Sequence, residues 1–384
     1  MLPIAKEIEI KSTISHSPIH MPVLKVIGLG GGGGNAIDRM MELGMRGVEF
    51  IAANTDLQTL ELNQAPVKIQ LGPRSTRGLG AGGKPEIGQA AAEESWKEIA
   101  QALAGADMVF LTAGMGGGTG TGAIPIAAKI ARKVGAVAIA VVTTPFSFEM
   151  GKRAKNATEG LNKLHKHVDT LITIPNDRLL FVAPQHLPLD TAFRLADDVL
   201  RQAVQSITEL ITEPGLINVD FAHIRRMMQL GGGALMAIGH GTGEDKALKA
   251  VKQAINHPLL GAVSIENAAG IIANFTAGND LTLAEISNAL VYLQDQTNNS
   301  TEIVMGTTQN DHMAERVQVN LVITGLGAHT LEEVLPGSEV INQHVPPVVE
   351  KRSLSQPVQS VAANNLDIPA FLRRQPRIAG EAIS

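Results

Sequence analysis

Gly114-Met-Gly-Gly-Gly-Thr-Gly-Thr-Gly122 follows the apolar run Ala106-Asp-Met-Val-Phe-Leu-Thr112 and leads into a helical pattern from Ala123. A strand that ends in such a loop and restarts as a helix aims several backbone N–H groups at one place, an anion site made of main chain. The arrangement occurs twice. Val23-Leu-Lys-Val-Ile27 is a short β-rich run, Gly28-Leu-Gly-Gly-Gly-Gly-Gly34 follows it, and Asn35 opens a helical spacing through Leu43. Residues 48–53, 137–143 and 170–174 are further apolar strands with loops after them. Strands alternating with helices predict an α/β fold whose mostly parallel sheet is covered on both faces. Ligands of such sheets bind beyond the carboxyl ends of the strands.

Three phosphate-site patterns compete. Gly28-x-Gly30-x-x-Gly33, with Asp56 further on, satisfies the dinucleotide fingerprint. Gly78-x-x-x-x-Gly83-Lys84 begins like a P-loop, but Pro85 stands where Ser or Thr must hold magnesium. The third pattern is the pair of glycine loops itself, which can wrap a polyphosphate without a Walker lysine. A dinucleotide fold has no use for the second loop, and glycines kept for tight packing alone would not explain two such loops.

The chain has 384 residues, 44% of them hydrophobic and 18% charged, with 32 Lys plus Arg against 37 Asp plus Glu. That is enough apolar material for a large core and excludes a largely disordered chain. A net charge of -5 argues against a binder of duplex nucleic acid. The absence of Cys excludes a disulfide scaffold, a thiolate metal site and a Cys nucleophile, and fits the cytoplasm. The longest clean apolar run, residues 134–142, is about half of a membrane span. Residues 1–22 lack the apolar block of a secretory signal and are expected to form a flexible arm.

Residues 23–188 therefore form the expected nucleotide-binding domain. A long helical pattern follows at 189–212, with Phe193, Ala196, Leu200, Ala203, Val204, Ile207 and Leu210 on one stripe, so 189–217 is a central helix and connection. Residues 218–327 are expected to form a loop followed by a smaller α+β domain. Residues 328–365 contain Pro336, Pro346, Pro347 and Pro357 and no aromatic residue, the composition of a disordered linker. In 366–384, Ile368, Phe371 and Leu372 fall on one helical face after Asp367 and Pro369, a short apolar handle at the end of a tether.

The chain resembles the bacterial tubulin-like cell-division GTPases, the FtsZ family. Gly116-Gly-Gly-Thr-Gly-Thr-Gly122 is similar to the tubulin signature. The likeness runs through Asn54-Thr-Asp56, Gly78-Leu-Gly-Ala-Gly82, Thr143-Thr-Pro-Phe146, Ile174-Pro-Asn-Asp177 and Asn218-Val-Asp-Phe221, and resumes at Leu366-Asp-Ile-Pro-Ala-Phe-Leu-Arg-Arg374. It implies a tubulin-like GTP-binding domain with a parallel sheet, a long central helix and a smaller α+β domain. It also implies GTP or GDP with Mg²⁺ as ligands. Gly31, Gly32, Gly33, Gly34 and Asn35, with Gly118, Thr119 and Gly120, would cradle the phosphates. Ala81 and Gly82 would approach the terminal phosphate, and Thr143 lies in a shared motif. Glu149 and Arg153 would serve ribose and phosphate, both facing one ligand if they share a helix, and Asn176 would lie near the sugar. Phe193 and Asp197, four apart on the long helix, would hold the base. A carboxylate accepts from both N1–H and the 2-amino group of guanine, which adenine cannot offer. Asp198 points about 100° away and is expected to be solvated or secondary.

The resemblance further implies head-to-tail assembly into an open filament, because such a contact does not close on itself. The loop after the long helix would cover the next subunit's nucleotide, with carboxylates orienting the attacking water. Asp220 matches that pattern, but His223 stands at the second acidic position. Three readings stay open: His223 serves as a water-orienting base, hydrolysis is slowed, or the chain is a regulatory paralogue. Residues 366–374 would bind membrane-tethering and regulatory division proteins, placing the protein in the cytoplasm at the division site, on the inner face of the cell membrane. His165 and His167 are expected to face solvent, and Met227 and Met228 to fill the core.

Overall fold

The computed structural model describes residues 21–149, 151–181, 188–213, 219–260, 265–298 and 300–326. The expected linker and tail, and residues 1–20 of the arm, lie outside the described residues.

Strands β1 (Leu24–Leu29), β2 (Glu49–Asn54), β3 (Val67–Gln70), β4 (Met108–Gly114), β5 (Val137–Thr144) and β6 (Thr170–Pro175) pair in parallel in the order β3-β2-β1-β4-β5-β6. Alternate residues of these strands enter two cores. Val26, Phe110 and Ile139 face one, while Ile27, Leu111 and Ala140 face the other. Burial of both faces explains why the strands read as nearly continuous apolar runs.

Helix α1 (Gly30–Glu42) follows β1. α2 (Leu57–Leu62), α3 (Pro85–Glu94) and α4 (Trp96–Leu103) precede β4, and α5 (Thr119–Lys133) follows it. Both helices after the glycine segments start earlier than their apolar spacing predicts, at Gly30 rather than Asn35 and at Thr119 rather than Ala123. Glycine contributes nothing to a hydrophobic pattern, so these first turns leave no trace in the apolar spacing. Pro85, which spoils the P-loop pattern, starts α3, the first-turn position where a missing N–H costs nothing. Asp56, the candidate ribose ligand of the dinucleotide pattern, instead caps α2 by accepting from the Thr59 N–H at 3.2 Å.

After α6 (Gly151–Leu164), β6 and the short α7 (Asn176–Leu179), α8 (Leu189–Thr212) runs where the stripe predicts it. Ala196, Leu200, Ala203, Val204, Ile207 and Leu210 are buried against the sheet, whereas Phe193 is 38% exposed. α9 (Phe221–Met228) follows, with Ile224, Met227 and Met228 fully buried. The remainder is β7 (Gly233–Thr242), α10 (Lys246–Ile255), β8 (Gly270–Ala277), α11 (Leu283–Asp295), β9 (Glu302–Gln309) and β10 (Arg316–Leu326). It extends the sheet as β7-β10-β8-β9, with β10 antiparallel to both neighbours. The junction is a short ladder, Leu171 opposite Gly233 and Ile172 opposite Ala234.

β7 is glycine-rich because α10 lies directly on it. A Cβ on Gly239 would sit 1.9 Å from the Ala250 carbonyl oxygen, and one on Gly241 would sit 1.8 Å from that of Lys246. No helix among the described residues is long and apolar enough to cross a membrane.

Candidate functional site

The chain builds β1, then β2 and β3 on one side of it, and then returns to place β4 on the other side. The crevice between β1 and β4 is thus the switch point at which open α/β sheets bind ligands. Both glycine segments meet there. Gly30 takes φ 71°, and a Cβ on it would lie 2.8 Å from the Gly120 nitrogen, while one on Gly32 would lie 3.1 Å from the Gly114 nitrogen. The Thr55 and Thr119 hydroxyls join across the same region at 2.6 Å.

A cavity of about 470 Å³ opens at these strand ends, a volume suited to a nucleotide-sized ligand. Gly31, Gly32, Asn35, Gly118, Thr119 and Gly120 line it, together with Thr143, Glu149, Arg153 and Asn176 from the neighbouring strand ends. Phe193 and Asp197 of α8 complete it. Neither α1 nor α5 has a side-chain cap, so first-turn N–H groups remain for a ligand.

The glycines fall into two kinds. A Cβ on Gly28 would lie 2.3 Å from the Gly33 oxygen, one on Gly33 2.5 Å from the Thr112 oxygen, and one on Gly122 2.0 Å from the Pro85 oxygen. Those glycines are required by packing. At Gly31 and Gly117, both in the cavity wall, a Cβ would meet nothing within 4 Å. Packing gives no reason for them, whereas close approach of a ligand to the backbone does.

Gly33, Gly34, Ala81 and Gly82 do not line the cavity. Gly33 is sealed against β1 and β4, and Gly34 faces the Asn63 amide. Ala81 is buried, its Cβ 2.8 Å from the position a Cβ on Gly118 would take, so it buttresses the second glycine segment from outside, whereas a Cβ on Gly82 would meet nothing within 4 Å. Glu149 and Arg153 do not share a helix, since Glu149 ends a 3₁₀ turn (Ser147–Glu149) and Arg153 lies in α6. They converge nonetheless. Arg153 donates to Glu149 Oε2, and Glu149 Oε1 accepts from the Phe146 N–H at 2.9 Å. Leu29, Gly114, Met115, Gly117, Pro145 and Ala196 also line the cavity. Their presence within the quoted motifs, or beside Asp197, was the available signal.

Two polar groups of the cavity wall, one buried and one half-buried, are shielded from water. Asn176 is 5% exposed and its Oδ1 accepts from no group. Burial pushes Asp197 up to about 7, against the pull of Arg39 and Arg194. Phe193 is held edge-on by Phe146, with centroids 5.5 Å apart. Asp198 is engaged elsewhere, accepting from Arg201 Nε at 2.8 Å and Gln202 Nε2 at 2.6 Å.

Asp220 and His223 do not line this cavity. Asp220 is the N-cap of α9, accepting from the Ala222 N–H at 3.0 Å. His223 lies within that helix rather than in a loop. The far end of α9 is tied to the amino end of β6, where the Met228 carbonyl accepts from the Thr170 hydroxyl. The cavity lies at the carboxyl end of the same strand, about 20 Å away for its six residues. His165 is exposed in a 3₁₀ turn (His165–His167), and no cluster of three metal-ligating side chains forms among the described residues.

A switch-point cavity walled by two glycine-rich helix starts, with a carboxylate opposite, defines a nucleotide site of the tubulin-like class. Residues 23–184 match the GTPase domain of the Tubulin/FtsZ family, and residues 232–327 match the C-terminal domain of the FtsZ family. The chain is 45% identical to FtsZ from M. jannaschii solved as an empty dimer, covering 80% of this chain and 89% of that one with a TM-score of 0.76. A mutant of the same M. jannaschii protein matches at 45% identity and a TM-score of 0.77, over 80% and 92%. CetZ2 from Haloferax volcanii, solved as a GTPγS-bound protofilament, shares the fold at 19% identity, a TM-score of 0.68 and coverage of 81% and 96%. The chain belongs to the FtsZ family, and it is a GTPase.

Three outcomes test the cavity. Gly31→Ala should leave thermal stability unchanged or raise it, by up to about 1 kcal/mol from helix propensity, yet weaken GTP binding at least about tenfold by intruding on the ligand. Unchanged affinity in a titration would remove Gly31 from the phosphate site. If Asp197 accepts from guanine, as the resemblance implies, the ligand favours its ionised form, so affinity should hold above pH 8 and fall about tenfold by pH 6. The difference from Asp197→Asn isolates this effect, because phosphate titration cancels. The same raised value makes protonated Asp197 the stabilising form, so the nucleotide-free protein should lose stability as pH rises through about 7.

Proposed function

We propose that GTP lies with its base toward Phe193 and Asp197 and its phosphates along residues 31–35 and 118–120, and that hydrolysis requires a second copy of the chain. The carrying observation is the separation of the two half-sites. The cavity lies at the carboxyl edge of the parallel strands, and α9 is anchored at the amino edge. From Asp197 to Thr212, α8 alone advances about 22 Å. One molecule therefore keeps its own Asp220 away from its own nucleotide, while head-to-tail stacking joins the cavity of one copy to α9 of the next. Such a contact repeats without closing and yields a filament.

In that filament Asp220 and His223 orient the water that attacks the terminal phosphorus, and the bond to the bridging oxygen breaks as GDP leaves. The cap occupies only Oδ1 of Asp220, which is exposed. The glycine segments carry no carboxylate, a donor set that fits Mg²⁺ held largely by phosphate oxygens and water. Magnesium supplies charge neutralisation at the phosphates. The hydrolysis-impaired alternative is disfavoured by family membership and by the carboxylate that His223 contacts.

In the same reading the polymer scaffolds the cell-division ring on the cytoplasmic face of the membrane, and 366–374 docks onto tethering and regulatory proteins. No binding of nucleic acid and no direct membrane span are part of this reading.

Phosphate release per molecule should rise steeply above a threshold protein concentration. Asp220→Asn should retain the cap, GTP binding and sedimentable polymer but lose about 10²–10⁴ in turnover. Turnover independent of concentration would overturn the shared site. Deleting residues 366–384 should leave GTP binding and assembly intact and abolish recruitment to membranes carrying the tethering proteins. Retained recruitment would exclude the tail.

A further inference from the structure

His223 contacts a carboxylate that lies 79 residues away in the chain. Its Nε2 is hydrogen-bonded to Oε1 of Glu302, the first residue of β9, and Arg226 Nη2 donates to that same oxygen. Arg226 Nη2 and His223 Nε2 lie 3.3 Å apart because both reach one acceptor. These are the charged groups in contact with the ring among the described residues, with Asp220 one turn earlier on the same helix. Glu302 is the most sheltered of the three, its side chain 22% exposed against 36% for His223 and 45% for Arg226.

The contact decides the tautomer. A carboxylate oxygen only accepts, so Nε2 must carry a proton; a lone pair there would face the oxygen directly. The neutral ring then has its basic lone pair on Nδ1. Arg226 donates to the same carboxylate oxygen, so Glu302 is held by two side chains of α9.

We propose that Glu302 is a positioning residue for GTP hydrolysis, holding His223 in the tautomer whose Nδ1 accepts a proton from the attacking water. The inference rests on the reading above that His223 serves the neighbouring subunit's nucleotide. As the water oxygen bonds to the terminal phosphorus, the bond from phosphorus to the bridging oxygen breaks and GDP takes its electron pair. The water proton passes to Nδ1, Glu302 stabilises the imidazolium, and the proton then leaves to solvent. Oriented carboxylate–histidine pairs act this way in hydrolases on unrelated folds.

The test uses the full chain with GTP and Mg²⁺, above the assembly threshold, across pH 5.5–8.5. Glu302→Gln should lower turnover about 10-fold to 100-fold, with GTP affinity and sedimentable polymer unchanged, and should displace the acid limb of the pH–rate profile to lower pH. A merely structural role would reduce polymer and leave the limb in place. In a His223→Asp background, which supplies a carboxylate directly, Glu302→Gln should cost less than about twofold, since the two residues act as one unit. An equal loss in both backgrounds would overturn the proposal, as would wild-type turnover and profile in Glu302→Gln alone. His223→Gln separates the two failures. If it turns over GTP like wild type, the reading of His223 itself is wrong; if it is slow while Glu302→Gln is normal, only the role of Glu302 falls.

Discussion

Two backbones approach each other at the strand ends more closely than side chains allow, and much else follows from that contact. Gly30 against Gly120 and Gly32 against Gly114 bring the start of α1 and the start of α5 together where the sheet reverses its strand order. Each start leaves N–H groups without a side-chain cap. Together they form a surface of main-chain donors that needs no lysine. The helix axes, the cavity and the reach of Asp197 from α8 are all set around this contact. A side chain at Gly28 or Gly33 would push α1 off β1 and β4 rather than merely fill a gap.

The far wall of the cavity works by the opposite principle. The glycine side offers many weak, fixed dipoles, while the α8 side, where the base is proposed to lie, presents one carboxylate, Asp197, largely withdrawn from water. Burial raises its pKa to about 7 against the pull of Arg39 and Arg194. Asn176 Oδ1, buried without a donor, is in the same condition. An unpaired buried polar group costs more than a paired one gains. A ligand that supplies the missing donors is therefore selected strongly over one that does not.

α8 relates the two ends of the molecule. Its buried stripe joins the core under β5 and β6 to the residues of β7, β8 and β9 that share that core. The short β6–β7 ladder makes the same union along the sheet. In the proposed filament, assembly is coupled to catalysis because α8 and a continuous sheet hold α9, with Asp220 and His223, away from the cavity of the same molecule.

The strand–glycine–helix units, the central helix and its stripe, and the α/β class were legible in the sequence, because period, glycine runs and proline positions act through nearest neighbours in the chain. β7 was hidden, since Gly239 and Gly241 answer to the backbone of α10 rather than to an alternating pattern. Helix starts at Gly30 and Thr119 were hidden because glycine is silent in a hydrophobic period. Tertiary structure alone separated the glycines that serve packing from Gly31 and Gly117, which face open space. It alone brought Glu302 to His223 across 79 residues, and it alone withdrew Asp197 from water. Desolvation and long-range pairing depend on which surfaces meet, and that is a property of the packed chain that no local stretch of residues carries.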